Sequence, residues 1–209
     1  MFNADVLTFR EFAMREPLPL VNIQSAVMEF LRGRDDVTIF GAQAVNAYVD
    51  EPRMTQDIDL LSTRAADLAE EIRHYLGNRF RIDVRVREIG GGRGYRVYQV
   101  RKAGNRNLVD VRPIACLPAT NRIEDVLVMA PADLVASKVI AYHQRRDKPK
   151  SGTDWRDIAM LLLAFPELKS DTSPVTDRLK AAGAEQATLE VWHEIVRREI
   201  EPPDDEDDF

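Results

Sequence analysis

The residues with the clearest chemical meaning are two aspartates that stand two positions apart. Asp57 and Asp59 lie in the segment Asp57-Ile58-Asp59-Leu60-Leu61, where polar and apolar residues alternate. In a β-strand this alternation places Ile58 and Leu60 in the core and both carboxylates together on the opposite face. Two such carboxylates repel each other unless a cation lies between them, and Mg²⁺ prefers hard oxygen ligands. The spacing therefore predicts a divalent cation site. The alternative interpretation is that Asp57 caps the preceding loop and Asp59 faces solvent.

A third aspartate stands within a later apolar segment that is typical of a strand, residues 107–114. Simple alternation puts Leu108, Asp110 and Arg112 on one face of this strand and the valines between them on the other. An aspartate in the middle of an apolar strand requires a partner. Two interpretations remain open: Asp110 pairs with Arg112 or another nearby arginine, or it completes a carboxylate cluster with Asp57 and Asp59.

The order of these motifs resembles a known family. Gly41-Ala42 after a short apolar segment, then Asp57-Ile58-Asp59, then Asp110, is similar to the pattern of the polymerase-beta-like nucleotidyltransferases. Arg53-x-Thr55 resembles the segment that precedes the aspartates in small bacterial AbiEii-like members, which are abortive-infection and toxin proteins. The resemblance covers roughly residues 37–160. It implies an α+β fold with a nucleotidyltransferase-like mixed β-sheet flanked by helices and a C-terminal helical part.

The resemblance also implies a reaction, the transfer of a nucleoside monophosphate from a nucleoside triphosphate to an acceptor hydroxyl. Mg²⁺ would be held in a two-metal arrangement by Asp57, Asp59 and Asp110; Asp110 could instead take the proton of the acceptor hydroxyl. The implied catalytic residues are Asp57, Asp59, Asp110 and Lys138. The implied nucleotide-binding residues are Gly41, Ala42, Arg53, Thr55, Asp154 and Asp157. The acceptor would be tRNA, a protein or a small molecule, and a toxin would have a cognate antitoxin as partner.

One position departs from the family pattern and supports a second hypothesis. The family usually has Gly or Ser after the first glycine, and a serine hydroxyl there would help to hold the triphosphate, whereas Ala42 has no hydroxyl. On this hypothesis the protein is a catalytically inactive module of the same fold that binds nucleotide or RNA, or regulates a partner.

The implied second set of site residues lies in a predicted helical region. Pro131 and the acidic residue that follows it predict the start of a helix that runs to about Arg146. Lys138 falls on its inward side, where it must either meet an anion or extend its amine to solvent. Helical toxins of the family have a Lys in one helix and two Asp residues in the next, and Lys138, Asp154 and Asp157 occupy those places.

Two strands with many arginines are predicted between the aspartates. Residues 79–87 alternate between apolar and charged side chains, and residues 95–100 form a second strand. The glycine-rich segment 90–94 between them matches no phosphate-binding spacing, so it predicts a hairpin loop. The basic residues of this region form either a solvated face or a surface for nucleic acid or acceptor: Arg85, Arg87, Arg96, Arg101 and Lys102.

The composition of the 209-residue chain favours a folded cytoplasmic protein. Hydrophobic residues make up 44% and charged residues 31%, which allows a buried core. No apolar segment is long enough to cross a membrane, and no secretory signal is visible. The net charge of -6 argues against non-specific binding of nucleic acid by the whole surface. The single cysteine, Cys116, is predicted to be a small buried residue.

Three regions are predicted. Residues 1–128 form the nucleotidyltransferase-like α/β core, residues 129–200 form the helical part, and residues 201–209 form an acidic disordered tail. Further predicted elements are a strand over 37–40 ending at Gly41 and helices over 20–31, 42–49, 63–76, 154–165, 175–182 and 185–200. Gly77-Asn78 is predicted to end the helix over 63–76, and Thr153 to cap the helix over 154–165.

Overall fold

The computed structural model describes residues 18–202, which divide into two compact units at Ala130/Pro131. The first unit contains a mixed seven-stranded sheet within the described residues, with strand order β3-β4-β5-β2-β1-β7-β6. The strands are β1 Val37–Phe40, β2 Ile58–Ser62, β3 Val84–Ile89, β4 Gly94–Gln99, β5 Arg106–Pro113, β6 Thr120–Ile123 and β7 Val126–Met129. The helices of this unit are α1 Leu20–Leu31, α2 Gly41–Asn46 and α3 Ala65–Phe80. The predicted α+β class with a mixed sheet flanked by helices is confirmed.

The centre of the sheet sets the register of the aspartates. β2 runs antiparallel to β1 and parallel to β5, so Asp59 lies opposite Phe40 on one side and beside Asp110 on the other. The alternate residues, including Ile58 and Leu60, are fully buried. Full burial of each such side chain contributes roughly 1.5–3 kcal/mol, and a slip of one residue would lose this contribution along the whole strand.

Helix α3 is longer than the sequence predicts. It passes through Gly77 and ends at Phe80, and Arg81 follows in the left-handed conformation (φ 56°). Contacts with α1 hold the last turn: the Tyr75 ring lies 5.1 Å from the Phe30 ring, and Arg79 forms an ion pair of 2.7 Å with Glu29. The prediction of a helix end at Gly77 is wrong because these contacts stabilise a further turn. Strand β3 consequently begins at Val84 rather than at residue 79.

The hairpin of β6 and β7 was not predicted. Its loop consists of Glu124 and Asp125, both at positive φ (48° and 64°), and this pair lacks the glycine that marks such turns in sequence. β7 extends the sheet by pairing in parallel with β1. Cys116 lies in the loop between β5 and β6 and is exposed, so the prediction that it is buried is wrong. Since β5 ends at Pro113, the apolar residues that follow belong to a surface loop.

The second unit is helical over its described residues. It contains α4 Pro131–Gln144, α5 Lys150–Ala164, a short 3₁₀ helix Pro166–Leu168, α6 Pro174–Ala181 and α7 Gln186–Arg197. Helix α5 begins at Lys150, so Thr153 lies inside the helix and does not cap it. The fully buried Trp192 of α7 donates a hydrogen bond of 3.0 Å to Thr176, which fastens α7 to α6. Residues 203–209 of the predicted acidic tail (201–209) lie outside the described residues. No helix among residues 18–202 combines the length and apolarity needed to cross a bilayer.

Candidate active site

Gly41 forms the turn between β1 and α2 and lies against Asp59. Its φ of +72° is in the region that glycine adopts without steric cost. A methyl group at this position would collide with a carboxylate oxygen of Asp59 and would lie 3.0 Å from the Asp59 Cβ and Cγ. The glycine is therefore required for two independent reasons, the backbone conformation and the space that Asp59 occupies.

The three carboxylates lie on adjacent parts of the chain: Asp59 is in β2 beside this turn, Asp57 directly precedes β2, and Asp110 is in the neighbouring strand β5. Asp59 and Asp110 are direct neighbours in the parallel register of β2 and β5. Asn107 connects Asp57 to Asp110, because its side-chain amide donates to Asp57 Oδ2 at 2.8 Å and to Asp110 Oδ1 at 3.4 Å. The structure thus brings the three predicted carboxylates to one part of the sheet.

A register shift in β5 explains why Asn107 takes part. Tyr98 of β4 pairs with Asn107 and Val97 pairs with Val109, so Leu108 has no cross-strand partner. This bulge turns Asn107 to the side of Asp110, while Leu108 is buried (1% exposed). Strict alternation predicts the reverse, with Leu108 beside Asp110, and that prediction is wrong. The sequence analysis missed Asn107 for this reason.

Asp110 is held by an arginine of the neighbouring strand. Arg96 Nε and Nη2 donate to Asp110 Oδ1 and Oδ2 at 2.8 and 2.7 Å, the two-bond geometry that is strongest for arginine and carboxylate. The hydrogen bond to Asp110 raises the pKa of Arg96, and the charges of Asp110, Asp57 and Asp59 raise it further. Arg112 instead stacks on the Phe40 ring at 5.0 Å. Asp110 therefore pairs with a nearby arginine, as one interpretation predicts, but the partner is Arg96 and not Arg112. Asp110 also lies beside Asp59.

The oxygen donors of this cluster suit a hard cation in chemical type, but they are not arranged as a three-carboxylate site. Within residues 18–202, no group of three or more His, Cys, Asp or Glu side chains is placed to hold a metal ion. Arg96 donates to both Asp110 oxygens. The side-chain oxygen of Asn107 is buried and accepts no hydrogen bond, so it is a further hard donor. The oxygen donors of Asp57, Asp59 and Asn107 are of the type that binds a divalent cation, and a cation that also binds Asp110 must compete with Arg96 for its oxygens.

The segment before Asp57 carries Arg53 and Thr55 and is fastened by buried amides. Asn46 (2% exposed) donates to the Arg53 carbonyl oxygen at 2.8 Å and accepts from the Arg53 N–H at 3.1 Å. Gln24 of α1 donates to the Thr55 carbonyl oxygen at 3.1 Å, and the Thr55 hydroxyl donates to the Asp57 carbonyl oxygen at 3.2 Å. These bonds hold the segment next to the carboxylates. The sequence analysis missed Asn46 and Gln24, since short polar residues in helices give no periodic signal.

The remaining predicted site residues lie in the second unit. Lys138 is buried (7% exposed) and its amine donates to Asp157 at 2.6 Å, while Asp157 is fully buried. Of the two interpretations of Lys138, contact with an anion is confirmed and extension to solvent is wrong. Asp154 is also buried and accepts from Arg145 at 3.0 Å. Within this unit the three residues thus form ion pairs that connect α4 to α5 and to the segment between them.

The basic residues of β3 and β4 lie on the carboxylate side of the sheet. Arg87 is the cross-strand partner of Arg96, which in turn faces Asp110, so these three side chains follow one another across adjacent strands. Arg85 is on the same side and pairs with Asp83 at 3.1 Å. Arg101 and Lys102 fall in the loop after β4 and are not part of this row. Gly90–Gly92 form the predicted hairpin loop between the two strands, which is confirmed.

The sheet and its helices are similar to those of proteins of known structure. The Megavirus polyadenylate synthase superposes with a TM-score of 0.62 at 14% sequence identity, over 78% of this chain and 35% of that protein. The chain therefore spans about a third of the length of the viral enzyme. JHP933 from Helicobacter pylori superposes with a TM-score of 0.54 at 11% identity, over 92% of each chain. At these identities the likeness establishes the fold and no more.

The sequence itself matches one family over most of its length. The match covers residues 32–208, and the family is described as "Nucleotidyl transferase AbiEii toxin, Type IV TA system". A comparison with curated protein sequences found no match. The matched range includes the glycine turn, the three aspartates and the buried Lys138 and Asp157. The chain belongs to the AbiEii nucleotidyltransferase family.

Proposed function

We propose that the protein transfers a nucleoside monophosphate from a nucleoside triphosphate to an acceptor hydroxyl, at the cluster of Asp57, Asp59 and Asp110. One observation carries the proposal: the sheet register places Asp59 between the Gly41 turn and Asp110, and Asn107 ties Asp57 to the same cluster. Carboxylates collected in this way serve phosphoryl chemistry, because they hold the cation that phosphate oxygens require.

Each residue of the cluster has a proposed task. Asp57 and Asp59 hold the divalent cation, for which Mg²⁺ is the expected ion in a site of oxygen donors. When bound, the cation neutralises phosphate charge and orients the triphosphate. Asp110 accepts the proton of the acceptor hydroxyl or serves as a further cation ligand. The backbone N–H groups at Gly41 and Ala42, next to Asp59, donate to phosphate oxygens.

The residues outside the cluster have proposed tasks in nucleotide binding. Arg53 and Thr55 contact the nucleotide from the fastened segment before Asp57. Lys138 supplies positive charge for the leaving pyrophosphate, and Asp157 fixes the position of its amine. Asp154 is proposed as a further nucleotide-binding residue.

The family suggests a cellular role as the toxin of a toxin–antitoxin pair, with a cognate antitoxin that restrains it. The acceptor is proposed to be tRNA, a protein or a small molecule. Induced expression should then arrest growth, and replacement of Asp57 and Asp59 by Asn should abolish the arrest. Normal growth at high expression of the wild-type protein would contradict the toxin role without contradicting nucleotidyl transfer.

The experiment that tests the reaction is incubation of the protein with each α-labelled nucleoside triphosphate, Mg²⁺, and total cellular RNA and protein. We expect one class of acceptor to be labelled by the wild type and not by Asp57→Asn or Asp59→Asn. Asp83→Asn is the matched control, since Asp83 is an exposed strand-edge aspartate that pairs only with Arg85 among the described contacts. Unchanged labelling by Asp57→Asn would refute the mechanism.

A second candidate function is an inactive binding module, which Ala42 and the Arg96–Asp110 pair favour. Calorimetry distinguishes the two functions. Triphosphate binding that requires Mg²⁺ supports the enzyme, whereas binding that is independent of the cation, together with no labelling, supports the module.

A further inference from the structure

Arg96 occupies the position at which Asp110 would meet a cation. Two guanidinium N–H groups bind its two carboxylate oxygens at 2.8 and 2.7 Å. The side chain of Asp110 is only 15% exposed, so solvent competes weakly for these oxygens. A cation that binds Asp110 must therefore compete with Arg96 for the lone pairs of these two oxygens.

The charges around Arg96 explain the pairing. Asp59 and Asp110 are neighbours on adjacent strands, Asp57 directly precedes the first of them and accepts from Asn107, and the three negative charges repel one another. Arg96 lies directly across from Asp110 on β4, and all three carboxylates interact favourably with its charge. The guanidinium thus supplies the positive charge that a bound cation would otherwise supply.

We propose that Arg96 is a positioning residue that competes with the divalent cation for Asp110 and thereby sets the cation affinity of the site. The proposal rests on the proposed function, since it takes Asp57, Asp59 and Asp110 as the cation's ligands. Asp110 is bound by Arg96 in the cation-free protein and transfers to the cation when the site is loaded. Loss of Arg96 removes the competitor and leaves the carboxylate charges uncompensated, so both effects strengthen cation binding.

The test is a calorimetric titration of the full chain, without nucleotide, with MnCl₂ and then MgCl₂. We expect Arg96→Gln to lower the Kd for the cation by about 10- to 100-fold, the range that hydrogen bonds between charged groups correspond to. Arg96→Lys keeps the positive charge but cannot form the two parallel hydrogen bonds. Its Kd for the cation should therefore lie between the values of the wild type and Arg96→Gln. In an Asp110→Asn background only the charge effect on Asp57 and Asp59 remains, so Arg96→Gln should lower the Kd by a smaller factor than it does in the wild type.

Arg34→Gln is the matched control. Arg34 binds both oxygens of Asp36 at 2.9 and 2.8 Å, the same kind of pair as Arg96 with Asp110 but with a partner outside the carboxylate cluster. The Arg34→Gln variant loses one positive charge and one Arg–Asp pair, and its Kd for the cation should equal that of the wild type.

The remaining outcomes separate this proposal from the proposed function. Equal Kd values for the wild type and Arg96→Gln would overturn the role of Arg96 and leave nucleotidyl transfer standing. Weaker cation binding by Arg96→Gln would mean that Arg96 only joins β4 to β5, which also overturns the proposal. If Arg96→Gln does not fold, an unchanged Kd for Arg96→Lys overturns it. No binding of either cation at millimolar concentration by any variant would overturn the proposal, and metal-dependent transfer would stand or fall on the labelling experiment, in which the cation is supplied together with the triphosphate.

Discussion

Replacement of Gly41 by alanine tests the geometry of the active site most directly. The φ of +72° costs a non-glycine residue about 1–2 kcal/mol, which corresponds to a fall in Tm of a few degrees for a chain of this size. The new methyl group would also lie 3.0 Å from the Asp59 Cβ and Cγ, whereas ordinary contacts are 3.4–4 Å. Asp59 must therefore move by roughly 0.5–1 Å, and a misplacement of that size lowers catalytic rates by about 100-fold.

Gly91→Ala is the control for this experiment. Gly91 has a φ of +66°, and no described atom lies within 4 Å of the methyl group that alanine would add. Gly91→Ala should lose only the cost of the backbone conformation, about 1–2 kcal/mol, and keep full activity. The assays are thermal unfolding and the rate of label transfer from the nucleoside triphosphate. Wild-type activity of Gly41→Ala, or an equal loss of activity in Gly91→Ala, would refute the assigned contact between Gly41 and Asp59.

Three further predictions follow from single contacts. Asn107→Ala removes the amide between two carboxylates and should lower kcat/KM by about 10- to 100-fold with little change in the circular dichroism spectrum; an unchanged kcat/KM would count against this role. Lys138→Met leaves the buried carboxylate of Asp157 without its cationic partner and should lower the free energy of unfolding by about 3–5 kcal/mol, measured in urea. A loss below about 1 kcal/mol would show that the pair is not buried. The hydrogen bond from Arg34 lowers the pKa of Asp36, so this carboxylate stabilises the fold above its ordinary pKa of 3.8 and less as the pH falls below that value. Asp36→Asn should therefore destabilise the protein at pH 7 and progressively less below pH 3.8; a pH-independent effect in urea unfolding would contradict the linkage.

Local patterns predicted several elements well because their causes are local. The helix over Leu20–Leu31 and the strand over Val37–Phe40 have the bounds that the sequence indicates, since each is a single apolar pattern with a clear end. The glycine-rich hairpin at Gly90–Gly92 was likewise predicted, because glycine adopts positive φ values without steric cost. The last turn of α3 was missed because its stabilising partners, Glu29 and Phe30, are distant in sequence.

The same division applies to the active site. The alternation around Ile58 by itself predicted that Asp57 and Asp59 lie together opposite the core residues, and the glycine at position 41 marked the turn beside Asp59. Which residues complete the site was decided by the tertiary structure alone. The bulge at Leu108 turns Asn107 toward the carboxylates. The pairing of β4 with β5 places Arg96 opposite Asp110, so that the two side chains form an ion pair. Register and bulges depend on hydrogen bonds between strands that are far apart in the chain, so no pattern within a single strand contains them.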